Sequence, residues 1–187
     1  MINYILYLIK ILKKYLIKVI IFNNDITLIL NNENNLLIVS KILKNHSYFN
    51  YKLIQDITVI DYPNKIDRFQ LVYNFLSIKR NFRLIIKFNL NEFKSINSLT
   101  NSYKSANWLE RECWDMFGIY FKNHVDLRRI LTDYGFENFP LRKDFPLNGY
   151  LEVRYDEEVK RVIYEPLEIT QEFRFFNFKT PWNWQNK

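Results

Sequence analysis

The sequence contains one cysteine, two histidines and three glycines among its 187 residues. A single cysteine excludes a disulfide framework and any zinc or iron–sulfur site built from cysteine thiolates, because such sites take several thiolates from the chain. Two histidines leave little for a histidine metal centre, and no glycine belongs to a phosphate-binding loop. These absences exclude most classes of cofactor-dependent enzyme.

Alanine is also scarce, with Ala106 as its single example, whereas asparagine, isoleucine, lysine, phenylalanine and tyrosine are abundant. This usage follows codon composition and indicates an A/T-rich genome, such as that of an organelle. Hydrophobic residues make up 48% of the chain and charged residues 25%, which is enough apolar material for a buried core. The length fits one domain, or one domain with a sizeable arm.

Positive charge is concentrated in the first half of the chain. Residues 1–100 carry a net charge of +8 and residues 101–187 carry −1, within an overall charge of +7. Basic halves occur in proteins that bind nucleic acid or an anionic membrane surface. A basic, solvated surface is the more common explanation. A basic RNA- or membrane-surface-binding module is therefore kept as an alternative function.

The N-terminal segment, residues 1–24, is predicted to form an amphipathic helix from Met1 to Phe22. Nearly all of its residues are apolar except four lysines that fall on one helical face. These are Lys10, Lys13, Lys14 and Lys18. The longest stretch without lysine, Met1–Ile9, is far shorter than the ~20 residues that a membrane-spanning helix needs. We expect the helix to pack on the domain or on a neighbour, with a membrane-surface helix as the alternative.

Residues 25–122 are predicted to form an α+β domain. Leu36–Asn45 has helical periodicity, and the three runs that follow it alternate as strands do. These runs are Tyr51–Tyr62, Arg68–Ile78 and Phe82–Leu90. The short polar connection Ser77–Asn81 predicts an antiparallel hairpin between the last two. We therefore expect an antiparallel or mixed sheet with helices on one face.

A further helix is predicted from Ser105, as N-cap, to Phe117, with Gly118 supplying a left-handed C-cap. Arg111 and Asp115 are four residues apart on this helix, a spacing that allows an ion pair. Acidic residues in this region could form an acid–base pair, but they spread around the helix axis close to arginines, which favours structural ion pairs. These residues are Glu110, Glu112, Asp115 and Asp126.

The other candidates for chemistry are His124 and Cys113. No nucleophile or second metal ligand accompanies His124, so we expect a turn or interface histidine. Cys113 falls on the inner face of the predicted helix, which indicates a buried, inert thiol. We predict no catalytic, cofactor-binding or metal-binding residue in this chain.

Residues 123–187 are predicted to form a long, extended C-terminal arm. Most of the prolines lie here and disfavour long helices and central strands, yet large aromatic side chains continue to the end of the chain. Seven of the ten arginines follow residue 100, and arginine with aromatics is the mixture enriched in interface cores. We therefore expect this arm to lie on another protein. Its predicted anchors are Arg154, Phe173, Arg174, Phe175, Phe176, Phe178 and Trp182.

The helix and the arm also resemble a known family. Residues 108–131 read WLERECWDMFGIYFKNHVDLRRIL, which closely resembles the signature of the 30-kDa subunit of respiratory complex I. The resemblance continues through PLRKDFPL at 140–147 and FRFFNF at 173–178, and it covers roughly residues 51–184. One departure is Val125, which stands where the family usually has proline, so that we expect a looser turn there.

This resemblance implies a structural subunit of the peripheral, matrix-side arm of proton-pumping NADH:ubiquinone oxidoreductase at the mitochondrial inner membrane. It implies that the C-terminal arm wraps over the 49-kDa-type subunit and that the chain also contacts other peripheral-arm subunits, holding the quinone module together. NADH, FMN, iron–sulfur clusters and ubiquinone would be bound by other subunits, and this chain would carry no redox centre and no activity of its own. It would bind no nucleic acid and would meet the membrane only through the complex.

The same resemblance assigns structural or interface roles to the signature residues. None of them is expected to take part in chemistry. They are Glu110, Arg111, Glu112, Asp115, Phe117, Gly118, His124, Arg128, Arg129, Arg142, Lys143 and Asp144.

Overall fold

A computed structural model describes residues 2–23, 25–176 and 178 of the chain. The α-helices are α1 (Ile2–Leu12), α2 (Asn35–Asn45) and α3 (Ala106–Phe117). The strands are β1 (Leu16–Phe22), β2 (Asp25–Leu30), β3 (Leu53–Asp61), β4 (Phe69–Ser77), β5 (Phe82–Leu90), β6 (Ile96–Asn97), β7 (Phe121–Lys122), β8 (Leu151–Asp156) and β9 (Arg161–Pro166). The chain divides into two compact units between Phe145 and Pro146.

Five strands of the first unit form a sheet in the order β1-β2-β5-β4-β3. Its neighbouring strands are antiparallel except β2 and β5, which are parallel. The predicted α+β class with a mixed sheet is therefore confirmed. β4 and β5 form the predicted hairpin, with Ser77 opposite Phe82 beside the turn. A short parallel pair, β6 with β7, forms a separate ladder.

Alternation along the central strands covers one face of the sheet with apolar side chains. β4 buries Phe69, Leu71, Tyr73 and Phe75 on this face, and β5 buries the alternate residues opposite them, with Ile86 facing Tyr73. Each such side chain contributes ~1.5–3 kcal/mol when it is fully buried. This face therefore forms the centre of the hydrophobic core.

The N-terminal helix is shorter than predicted. α1 ends at Leu12, and Leu16–Phe22, which was expected to be helical, is strand β1 paired with β2. The isoleucines and valine of this run are stiff at χ1 and favour an extended backbone. Asn23, with φ of 47°, follows β1 in the left-handed conformation of a turn. The spacing of the lysines therefore did not indicate one continuous helix.

The compact units do not follow the predicted divisions at residues 24 and 122. α1 contributes Tyr4, Leu8 and Leu12 to the core of the sheet, and the Tyr4 hydroxyl donates a hydrogen bond of 2.8 Å to the Tyr51 hydroxyl. Residues 123–145, predicted as the beginning of the arm, belong to the first unit because their backbone is bound by side chains of that unit. The second unit contains the β8–β9 hairpin.

Helix α3 has its predicted extent. The Ser105 hydroxyl does not cap the helix as expected, but donates a hydrogen bond of 3.2 Å to the carbonyl oxygen of Ile54 on β3. Gly118 has φ of 77°, and this residue is the predicted left-handed C-cap. A Cβ at Gly118 would lie 2.5 Å from the ring of Phe139, so both the backbone and the packing require glycine.

Candidate functional site

Residues 123–145 return to helix α3, and this return brings most of the signature residues together. The apolar side of α3 packs on β3, where Cys113 is buried and its thiol donates to the carbonyl oxygen of Ile57 at 3.5 Å. Buried polar side chains of α3 then bind the backbone of the returning segment. The site is thus a set of charged and polar clusters that hold a loop in place.

Asp115 holds the loop at residues 130–132. Its buried Oδ2 accepts hydrogen bonds from the backbone N–H groups of Ile130, Leu131 and Thr132 at 3.2, 2.7 and 2.9 Å. Its Oδ1 accepts one from the Thr132 hydroxyl at 2.6 Å and lies 3.5 Å from the Arg129 guanidinium. Burial opposes ionisation of Asp115, but the hydrogen bonds outweigh it and hold the pKa of this carboxyl below its ordinary value.

The ion pair that the spacing of Arg111 and Asp115 allows does not form. Arg111 donates from Nε to the carbonyl oxygen of Arg128 at 3.0 Å and from Nη2 to that of Arg129 at 3.2 Å. Spacing of four residues allows a contact without requiring it. The returning loop offers Asp115 better partners, namely three N–H groups and another guanidinium.

Glu110 is fully buried and binds the segment that precedes α3. It accepts a hydrogen bond of 2.6 Å from the Ser98 hydroxyl and one of 2.7 Å from the N–H of Leu99. Burial raises the pKa of Glu110 to about 7, although these two hydrogen bonds act in the opposite direction.

His124 connects the turn after β7 to the first turn of α3. Its Nδ1 accepts a hydrogen bond of 3.0 Å from the N–H of Asp126, and its Nε2 lies 3.2 Å from the carbonyl oxygen of Asn107. These partners place the proton on Nε2, so that both nitrogens are satisfied in the neutral imidazole. The buried Nε2 also lies 3.8 Å from Oε2 of Glu110.

We expect Glu110→Gln to remove a pH dependence of stability. Because the folded state raises this pKa from 4.5 to about 7, the stability contributed by protonated Glu110 is fully present below pH 4.5 and is lost as the pH rises through 7. The loss amounts to about 3 kcal/mol. Glutamine carries no charge at any of these pH values; its oxygen can accept the N–H of Leu99, and its NH₂ group can donate to the Ser98 hydroxyl oxygen. Urea unfolding at a series of pH values, followed by tryptophan fluorescence, measures it.

Glu112→Gln is the matched control, since Glu112 is exposed on the same helix. This variant should keep the pH profile of the unsubstituted chain. A Glu110→Gln variant with the same sloping profile would contradict a raised pKa at Glu110.

A second charge cluster joins the PLRKDFPL segment to the sheet. Arg68 binds both carboxylate oxygens of Asp61, at 2.8 and 2.9 Å, and lies 2.9 Å from Asp144. Asp61 also accepts the N–H of Lys143 at 2.9 Å. The Arg68 guanidinium holds the pKa of Asp61 below its ordinary value. Strand β3 is thereby connected to residues that are far away in the sequence.

The C-terminal carbonyls of α3 are satisfied by the same segment. The N–H of Leu141 donates to the carbonyl oxygen of Met116 at 3.1 Å, and Nε of Arg142 donates to that of Phe117 at 2.7 Å. Arg142 also forms an ion pair with Glu92. A cation at this helix end complements the partial negative charge of the unpaired carbonyls.

Three further predicted signature residues differ in their burial. Phe117 is buried with its ring 6.5 Å from that of Phe69, whereas Glu112 is exposed. Arg128 is 72% exposed and pairs with Asp126 at 2.9 Å.

Several partners in these clusters were not among the predicted site residues. Their contacts join residues too far apart in the sequence for helical or strand spacing to predict them. Asp61, Arg68 and Thr132 nevertheless lie in segments that resemble the family. These partners are Asp61, Arg68, Glu92, Ser98 and Thr132.

The predicted arm anchors that the structure describes belong to the second unit. Arg154 binds both oxygens of Glu165 at 2.8 Å across the β8–β9 hairpin. The other described anchors are exposed, and Trp182 lies outside the described residues. The exposed anchors are Phe173, Arg174, Phe175, Phe176 and Phe178.

Within residues 2–23, 25–176 and 178, no three histidine, cysteine, aspartate or glutamate side chains group closely enough to hold a metal ion. Within the same ranges, each helix is too short or too polar to cross a bilayer.

Solved structures share the fold. The chain resembles a structure described as Nqo5 of the trypsin-resistant fragment (1-134), with a TM-score of 0.55 and 23% identity, over 67% of this chain and 98% of that one. A chain of the membrane-bound sulfane sulfur reductase, an archaeal respiratory membrane complex, matches with a TM-score of 0.65 and 23% identity, over 78% of this chain and 86% of that one.

Relatives matched by sequence have a higher identity to this chain than these solved structures do. Subunit 9 of NADH-ubiquinone oxidoreductase from Reclinomonas americana is 52% identical over 175 residues, which are 94% of this chain and 85% of that one. Subunit 9 from Acanthamoeba castellanii is 58% identical over 140 residues, 75% of this chain and 71% of that one. NADH dehydrogenase (ubiquinone) iron-sulfur protein 3 from Arabidopsis thaliana is 55% identical over 140 residues, 75% of this chain and 74% of that one.

The family described as "Respiratory-chain NADH dehydrogenase, 30 Kd subunit" matches residues 29–151, which include strands β3, β4 and β5, helix α3 and the returning segment with its clusters. Together with the identity to these relatives, this match shows that the chain belongs to the 30-kDa subunit family of respiratory complex I.

Proposed function

We propose that this chain is a structural subunit of the peripheral, matrix-side arm of complex I at the mitochondrial inner membrane. In this proposal, the first unit is a stable body and the second unit binds the 49-kDa-type subunit beside the quinone module. Other peripheral-arm subunits complete the surroundings of the chain.

The observation that carries the proposal is one face of the β8–β9 hairpin. The antiparallel register puts Val153 opposite Tyr164 and Tyr155 opposite Val162. Opposite residues share a face, as do alternate residues along a strand, so Leu151 lies with them. We call these five residues the hairpin face, and each of them is more than half exposed.

An exposed hairpin face calls for a partner. A lone two-stranded hairpin is only marginally stable in water, and contiguous apolar surface usually marks an interaction site. The aromatic residues that follow add further apolar surface, with Phe175 and Phe178 about nine-tenths exposed. Burying each such side chain contributes ~1.5–3 kcal/mol, which can exceed the cost of ordering the segment when several bind together.

The division into a stable body and a binding segment has a parallel in a similar protein. The similar Nqo5 structure is that of a trypsin-resistant fragment, and it matches 67% of this chain. We extend this property to the first unit here.

We assign no redox centre to this chain, although some relatives have iron-sulfur in their names. Clusters are held by several cysteine thiolates, and this sequence has a single cysteine. Burial raises the pKa of the Cys113 thiol, which disfavours the thiolate that would bind iron. We assign NADH, FMN, the clusters and ubiquinone to other subunits.

A basic RNA- or membrane-surface-binding module is the second candidate. One observation favours it: the lysines of the N-terminal segment are exposed. Phosphate binding by such lysines would weaken steeply with rising salt, whereas apolar subunit contacts would not. These lysines are Lys10, Lys13, Lys14 and Lys18.

The test is a native gel of digitonin-solubilised membranes, with the chain located by mass spectrometry at low and at high salt. We expect the chain in one band with the 49-kDa-type subunit at both salt concentrations. A chain that runs alone, or that leaves the band as salt rises, would favour the second candidate.

A further inference from the structure

A cleft of about 630 Å³ lies in the first unit where Arg111 of helix α3 meets the loop that follows β7. Three arginines line it, Arg111, Arg128 and Arg129, together with Thr132 and Tyr134. The cleft is lined by residues of the first compact unit, whereas the hairpin face is made of residues of the second.

The three arginines differ in their counter-ions. Arg129 lies 3.5 Å from the carboxylate of Asp115, and Arg128 lies 2.9 Å from that of Asp126. Arg111 binds two carbonyl oxygens, which carry no net charge, and no carboxylate among the described residues pairs with it. Among the described residues, Arg111 is therefore the arginine of this cleft that has no carboxylate within ion-pair distance.

The hydrogen-bonding of Arg111 leaves one edge of its guanidinium available. Nε and one N–H of Nη2 are used by the consecutive carbonyls. The N–H groups of Nη1 and the second N–H of Nη2 have no acceptor among the described residues. Two parallel N–H groups on Nη1 and Nη2 match the two oxygens of a carboxylate.

The rim of the cleft has the character of a protein interface. The Tyr134 side chain is fully exposed, and tyrosine and arginine are both among the residue types enriched at interface hot spots. The cleft also contains Asp133, whose carboxylate accepts the N–H of Tyr134 at 2.8 Å. That negative charge disfavours a dianionic phosphate more than it disfavours a single carboxylate.

We propose that Arg111 binds an aspartate or glutamate side chain of a neighbouring subunit through a bidentate ion pair, and that Tyr134 packs against the same segment. The inference rests on the proposed role as a subunit. It does not depend on the hairpin face, and it adds a second, charged contact to the apolar one.

The test uses the complex assembled with an Arg111→Lys chain and a water-soluble carbodiimide. The lysine amine and a partner carboxylate that touch each other form an amide bond, and the reagent takes up the water that is released. Arginine does not react, so the unsubstituted complex is the blank. We expect a peptide of another subunit, joined through its aspartate or glutamate to position 111.

Arg83→Lys is the control, because Arg83 is exposed on strand β5 away from the cleft, and it should give no cross-link to the same acidic residue. If the Arg111→Lys chain fails to assemble, the experiment is repeated with Arg128→Lys, which places a lysine elsewhere in the cleft. This lysine is expected to cross-link to the same acidic segment. Assembled complexes that lack the intersubunit cross-link, or that join position 111 only to Asp133 of the same chain, would overturn the proposal. An unsubstituted chain that never enters the complex would instead contradict the proposed function.

Discussion

Asp115→Asn is expected to lower the free energy of unfolding of the chain by about 3–5 kcal/mol, the usual cost of removing one member of a buried ion pair. The side chain of Asp115 is fully buried and accepts four hydrogen bonds in addition to its contact with Arg129. Asparagine replaces one oxygen by an NH₂ group, which would point donors at donors. Arg129 would lose its charge partner at the same time.

Urea unfolding at pH 7 measures the loss, and hydrogen exchange of the amides of residues 130–132 locates it. Asp126→Asn is the control, because Asp126 is an exposed carboxylate paired with an exposed arginine, and such pairs contribute less than ~1 kcal/mol. An Asp115→Asn chain as stable as the control, with protected amides at 130–132, would show that this carboxylate does not hold the loop.

The pH dependence of Asp115 has the opposite sign to that of Glu110. The pKa of Asp115 is held below its ordinary value of 3.8 in the folded chain. Its contribution is therefore present at pH values above 3.8 and is lost as the pH falls through the lower folded value. Acid titration of the unsubstituted chain should therefore release the loop at residues 130–132.

Removal of residues 146–187 is expected to abolish incorporation into complex I while the first unit stays folded. The deleted part contains the hairpin face and the exposed aromatic anchors, and each large apolar side chain buried on a partner is worth ~1.5–3 kcal/mol. Losing several of them removes most of the affinity. Native gels measure incorporation, and a cooperative unfolding transition of the truncated chain reports its folding.

A point substitution separates the hairpin face from the rest of the deleted segment. Val153→Glu places a charge on this face opposite Tyr164 and should strongly reduce incorporation, because the charge would be desolvated against an apolar partner. Glu152→Lys changes the charge on the opposite face of the same strand and serves as the control. Normal assembly of the Val153→Glu chain would remove the hairpin face from the interface, and an unfolded truncated chain would contradict a self-sufficient first unit.

Much of the fold follows from local pattern. The alternation in Phe82–Leu90 and the short polar connection before it predict the β4–β5 hairpin, since a strand with one buried face allows one register. The extent of α3 and the left-handed Gly118 follow in the same way, because a helix ends where glycine accepts a positive φ. The signature at 108–131 was also enough to name the family, because long literal runs do not depend on geometry.

The sequence alone did not determine which distant segments pair; the tertiary structure decided this. Leu16–Phe22 has an apolar composition that fits either a helix or a strand, and its neighbour β2 decides for the strand by supplying hydrogen-bond partners. Asp115 could have paired with Arg111 four residues away, but the returning loop brings it N–H groups and Arg129. Spacing along one element specifies which side chains are close, whereas a buried carboxylate binds whichever segment supplies the most donors, and that depends on where the tertiary structure carries the loop.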